Sequence, residues 1–127
     1  MGKTVPLNQV KAYLLRIKQA VAAGRYRFIP RRKNILSLAS VGLLPKHVKD
    51  YILRLTPQDY FNGPEDEIDP EFPPGEYVCF GCDIYGKEFY VKVKLEQNHG
   101  ENYCVCISFH IADSPIYYPY KRDMSDE

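Results

Sequence analysis

No run of about 18 apolar residues, the length a membrane-spanning helix needs, occurs anywhere in the 127-residue chain. The first residues also lack the apolar h-region of a secretory leader, so a cytoplasmic location is expected. The scarcity of acids at one end matters more. Residues 1–54 contain a single acid, Asp50, against twelve Lys and Arg. Subtracting these from the 17 basic and 16 acidic residues of the whole chain leaves five bases and fifteen acids for residues 55–127. The net charge of +1 therefore hides a segment near +11 followed by a segment near −10. Such a split points to a polyanion-binding surface, with nucleic acid as the leading candidate. Mutual neutralisation of two halves folded together accounts for some of it.

Cysteine is also sparse, at four residues. Cys79-x-x-Cys82 with Cys104-x-Cys106 superficially resembles a four-thiolate zinc site. Strand alternation opposes it, because Cys79 and Cys82 would lie on opposite faces of one strand. Cys79 and Cys104 would share a face but stand about 9–10 Å apart on strands flanking a third, too far for a disulfide. Reduced thiols are expected, with no metal and no cofactor. Six of the ten Pro residues cluster at Pro64–Pro74 and Pro115–Pro119 and mark loops rather than disorder. The length suits one domain with a real core.

What the chain does have is two long stretches of strict alternation. In Glu88–Glu96, Phe89, Val91, Val93 and Leu95 point one way while Tyr90, Lys92, Lys94 and Glu96 point the other. In Tyr103–His110, Tyr103, Val105, Ile107 and Phe109 alternate with Cys104, Cys106, Ser108 and His110. Period-two patterning predicts strands with one buried and one wet face. Tyr85-Gly86-Lys87-Glu88 reads as a two-residue hairpin loop with Gly first, which pairs Ile84 with Phe89, Cys82 with Val91, Phe80 with Val93 and Val78 with Leu95. All eight are apolar, so turn and pattern agree. The other face then pairs Asp83 with Tyr90, Gly81 with Lys92 and Cys79 with Lys94. A second turn around Asn98-His99-Gly100 places Tyr90 opposite Ser108 and Lys92 opposite Cys106, with His110 one pair beyond.

Upstream, Leu7 to Ala23 predicts a helix with Val10, Leu14, Ile17 and Val21 as its apolar stripe and Gly24 behind it. Asn34 is a candidate cap for a short helix through Val41. Pro45 opens a third helix carrying Val48, Ile52 and Leu55, and Thr56-Pro57-Gln58-Asp59 one further turn leading to Tyr60 and Phe61. The predicted layout is α+β in one domain: helices over residues 1–61, an acidic Pro-rich loop 62–76, an antiparallel sheet 77–111 and a Pro/Tyr-rich tail 112–127. Helices should cover the apolar sheet face and leave the Tyr90/Lys92/His110 face open.

A polar sheet face is most often simply solvated. Here its residue types also suit phosphodiester chemistry. RNA is cleavable by its own 2′-OH if an enzyme supplies a proton acceptor, a proton donor and positive charge. His110 is the natural proton carrier on that face, since histidine ordinarily titrates near neutrality. Lys92 supplies charge, Tyr90 orients the phosphate, and Ser108 donates to it or fixes His110. Five bases in nine residues (Arg25, Arg27, Arg31, Arg32, Lys33), interleaved with Tyr26 and Phe28, offer grip for phosphates and stacking faces for bases. Arg27, Arg31, Arg32, Lys33, Lys94 and Tyr60 are the candidate RNA contacts. His99 in a turn and His47 at an exposed helix start are read as solvated.

The ordered set Leu55…Asp59-Tyr60…Gly63-Pro64, Gly86…Tyr90-Val91-Lys92, Ile107-Ser108-Phe109-His110 and Tyr118-Pro119 resembles the MqsR-type toxins over most of the chain. The resemblance implies a RelE-like fold and the ribonuclease half of a type II toxin–antitoxin pair. It implies an mRNA endoribonuclease inhibited by a cognate, MqsA-like antitoxin. Tyr90 falls on the family's active-site Tyr. His110 stands where the founding toxin has Lys, and Asn62 where that toxin has another Lys. The alternative reading is a non-catalytic RNA- or partner-binding module on the same scaffold.

Overall fold

The computed structural model describes residues 2–121, and the end of the predicted tail lies outside them. Helix α1 (Leu7–Ala22) begins after Pro6, which cannot donate a backbone N–H, and buries Val10, Leu14, Ile17 and Val21 as the stripe requires. Gly24 takes φ 81° just past its end, a conformation that favours glycine. Strand β1 (Tyr26–Phe28) follows, then α2 (Arg32–Ser40), α3 (Val48–Leu53) and strands β2 (Tyr60–Asp66), β3 (Glu76–Ile84), β4 (Lys87–Asn98) and β5 (Glu101–Ile111). The molecule is α+β, with an open five-stranded mixed sheet in the order β1-β5-β4-β3-β2. Among the described residues no helix is long and apolar enough to cross a membrane.

The three helices pack on one sheet face. Their stripes meet Val78, Phe80, Phe89, Val91, Val93, Cys104, Cys106 and Phe109 in one continuous core. Two strands were hidden from the pattern. β1 is three residues long and pairs parallel to β5, Tyr26 opposite Cys104. It packs the half-buried rings of Tyr26 and Phe28 against the core, which leaves neither as a fully open stacking face. β2 replaces the first residues of the expected acidic loop and pairs with β3 despite Gly63 and Pro64, its register shifting at Asn62. Tyr60 opens it with its ring in the core, 0 % exposed, and its hydroxyl donating to the Lys3 carbonyl; it cannot touch RNA.

Both hairpin registers differ from the expected ones. Tyr85 and Gly86 form the first turn with φ 51° and 83°, so Ile84 pairs with Lys87 and every β3–β4 partner shifts by two residues. A shift of two keeps each side chain on its face. Asp83, however, now faces Glu88 rather than Tyr90, and Gly81 takes the place opposite Tyr90. His99 and Gly100 form the second turn. On its own that register would put Tyr90 opposite a residue of the wrong face; a β-bulge corrects it, with Ile107 as the extra residue between the Lys92–Ser108 and Val93–Cys106 pairs. Below the bulge the faces swap relative to the plain alternation. Cys104 and Cys106 enter the core, whereas Val105 and Ile107 stand on the open face. Cys79 and Cys104 therefore do not share a face.

Candidate functional site

The bulge brings the chemistry together more tightly than alternation alone would. Tyr90 is directly opposite His110, and Lys92 opposite Ser108. These four residues, with Arg31, Phe61 and Asn62, line a cleft of about 790 Å³ on the open face. The tail forms its far wall. Ile116 and Tyr118 bond to the Glu88 carboxylate at 3.1 and 2.9 Å, and Lys33 reaches Asp113 at 2.7 Å. Gly81 makes this closure sterically feasible: a Cβ there would sit 2.1 Å from the Tyr118 hydroxyl.

His110 is 7 % exposed, and its ring stacks on Tyr90 with centroids 5.3 Å apart and planes at 18°. Its Nδ1 lies 2.9 Å from the Ile111 carbonyl. A carbonyl only accepts, so Nδ1 carries the proton and Nε2 of the neutral ring keeps its lone pair. That is the state a general base requires. Tyr90 is held on its other side by Phe61, at 5.7 Å between centroids, and its hydroxyl lies 3.6 Å from the Cys79 sulfur. Burial, reinforced by the Cys79 thiol, pushes the Tyr90 phenol well above its ordinary value. Tyr90 is therefore a neutral hydrogen-bond donor, not a base. From this it follows that the ratio of wild-type to Tyr90→Phe cleavage rates should stay flat between about pH 6 and 9. A ratio that climbs with pH in a titration curve would show the phenolate acting instead.

Positive charge comes from two side chains. The Lys92 ammonium lies 4.1 Å above the centre of the Tyr77 ring and makes no ion pair among the described residues. Arg31, exposed at the start of α2, donates to Ser108 Oγ at 3.1 Å. Ser108 is thus bound to a cation rather than to His110. Of the other predicted contacts, Arg27 and Arg32 are exposed, while Lys33 is engaged with Asp113. Lys94 is a correction. It faces the same side as Lys92 but is only 2 % exposed, covered by the loop after β2. Its ammonium donates to Glu67 at 3.1 Å, to Glu96 at 3.2 Å and to the Pro73 carbonyl at 2.5 Å, leaving nothing for RNA. The Tyr77 hydroxyl and Lys94 together hold the Glu67 carboxyl below its usual value.

Asn34 is the residue that sequence reading misplaced most. It does not cap α2 but lies inside it, fully buried. Its amide donates to the Ile29 and Ile107 carbonyls at 2.9 and 3.0 Å and accepts from the Phe109 amide at 3.0 Å. Those last two backbone groups flank Ser108 on the β5 edge past the end of its pairing with β1, where α2 takes the place of a partner strand. Ser37 Oγ accepts from the Ile111 amide at 3.0 Å. Helix α2 thereby fixes the strand segment that carries Ser108 and His110. Phe61 was missed as well; Asn62, read only as the position of a Lys in the founding toxin, accepts from the Lys3 amide at 2.6 Å and donates to Glu65 at 3.1 Å. His47 accepts a turn bond from Leu44, and His99 sits in a hairpin, both away from the cleft. Among the described residues no three His, Cys, Asp or Glu converge as a metal site.

A scan of protein-family models and a search of curated proteins each return no match to this chain.

Proposed function

We propose that the chain is a toxin-type endoribonuclease of RelE-like fold that cuts mRNA with the RNA's own 2′-OH as nucleophile. The observation that carries this reading is the cleft in which a base-competent His110, a neutral Tyr90 and the cations of Lys92 and Arg31, which form no ion pair among the described residues, face one space. In the proposed step His110 Nε2 takes the 2′-OH proton as the O2′–P bond forms. The P–O5′ bond breaks, and the imidazolium returns that proton to the departing 5′-oxygen. Lys92 and Arg31 stabilise the charge on the phosphorane-like transition state, and Tyr90 donates to a phosphoryl oxygen. The ordered resemblance to MqsR-type toxins supports a cytoplasmic mRNA target and an MqsA-like antitoxin as partner. No step uses a metal or cofactor.

The test is cleavage of a single-stranded RNA and a DNA of the same sequence by the purified chain in EDTA. The expected result is RNA fragments ending in 5′-hydroxyls and intact DNA. Cutting that requires a divalent ion, or equal cutting of the DNA, would overturn the mechanism.

A further inference from the structure

A second concavity lies beside the cleft on the same sheet face, about 290 Å³ in volume. Its floor is Ile29, Val105 and Ile107, and the last two face outward because of the bulge. Tyr77 and Phe72 provide aromatic walls. Tyr77 is held in place by its hydroxyl bond to Glu67 and by Lys92 over its ring. Phe72 is 56 % exposed, a large aromatic ring in a loop that carries three acids, three prolines and the exposed Ile68. The polar groups at the base of the slot are spent on one another, since Lys94 engages Glu67, Glu96 and the Pro73 carbonyl. A ligand here would be held by enclosure and stacking, not by hydrogen bonds to its edge.

Two features connect the slot to the cleft. Arg31 lines both, and the Tyr77 ring that walls the slot carries Lys92 on its face. A chain whose phosphate sits at Lys92 and Ser108 therefore passes Arg31 at the mouth of an aromatic-walled slot. Exposed Arg27 also lines it, extending the positive charge along the path of a backbone. The volume lies near the lower end of small-ligand pockets, room for one flat ring system and not for a stack. We propose that the slot receives a single nucleobase flanking the scissile phosphate, sandwiched between Tyr77 and Phe72. This rests on the ribonuclease reading above, and it assigns base readout to a site distinct from the reacting groups.

The experiment is an abasic scan. RNA oligonucleotides of one cleavable sequence carry a single abasic nucleotide at successive positions around the cut, and kcat/KM is measured for the wild type, Phe72→Ala and Phe72→Trp. In the wild type one position next to the cut should lose roughly 5- to 100-fold, the size of one base–aromatic stack. Phe72→Ala should lower cleavage of intact RNA and show little further loss at that position, whereas Phe72→Trp should behave like the wild type. Phe72 is exposed, so its truncation leaves the core unchanged, and matching melts verify this. Normal cleavage with a flat scan, or losses that simply add, would overturn the slot and leave the ribonuclease standing. If Phe72→Ala instead weakens only binding of an inhibitory protein, the slot takes a partner's side chain and the base proposal is wrong. A wild-type chain that cuts no RNA would overturn both.

Discussion

His110→Ala is expected to lower RNA cleavage by roughly 10²–10⁴-fold, the usual contribution of a general acid–base group. The tautomer fixed by the Ile111 carbonyl leaves Nε2 as the one ring atom free to exchange a proton with substrate, and alanine removes it. Sequence alternation alone makes this position solvated strand surface. In the structure the ring is buried against Tyr90, so a small loss of stability accompanies the substitution. His110→Gln separates the two effects, because glutamine keeps a polar side chain of similar reach without a titrating group. Its cleavage should fall as far as that of the alanine variant while its melting temperature stays closer to the parent's. If His110→Gln retains near-parental rates, proton transfer belongs to another residue.

The second large effect concerns a residue that never meets RNA. Asn34→Ala should destabilise the fold by roughly 2–4 kcal/mol, because the Ile29 and Ile107 carbonyls and the Phe109 amide lose their partner in a buried place. For a domain of this size that lowers the melting temperature on the order of 10 °C. Cleavage measured well below the melt should fall too, since the bulge holding Ser108 and His110 loses its clamp. Asn34→Asp keeps an acceptor for the Phe109 amide but sets a buried carboxylate oxygen against the Ile29 and Ile107 carbonyls, so it should cost at least as much as alanine. A melt unchanged by Asn34→Ala would mean that the bulge stands without α2.

The helices and the apolar sheet face were legible because each rests on a repeating pattern. The stripe of α1 survives in the structure residue for residue, and the alternation of β4 survives except at Lys94, which is covered. The first turn misled on register but not on faces. A Gly-first loop would have used Gly86-Lys87, whereas Tyr85 itself adopts positive φ and moves the pairing by two. The bulge at Ile107 was hidden for a physical reason. Val105 and Ile107 face the open side under the cover of the 67–75 loop, so apolar residues stand where solvated ones would have marked the break. The same cover explains Lys94, which reads as a wet strand lysine until Glu67, Glu96 and Pro73 are seen to close over it. Tyr90, Lys92, Ser108 and His110 were legible as a set. The contacts that hold them, from Asn34, Arg31, Phe61 and the tail, join distant stretches of the chain and leave no local signature.

The central claim is that the Tyr90/Lys92/Ser108/His110 face is an active site and not only a grip for RNA. The most direct measurement is the single-turnover cleavage rate of the His110→Ala, Lys92→Ala double variant, made at saturating enzyme so that weakened binding does not count. The account predicts no cleavage above background from a variant whose melt and circular dichroism match a folded protein. A well-folded double variant that cuts RNA at the parental rate would contradict it, and the face would then be a binding surface.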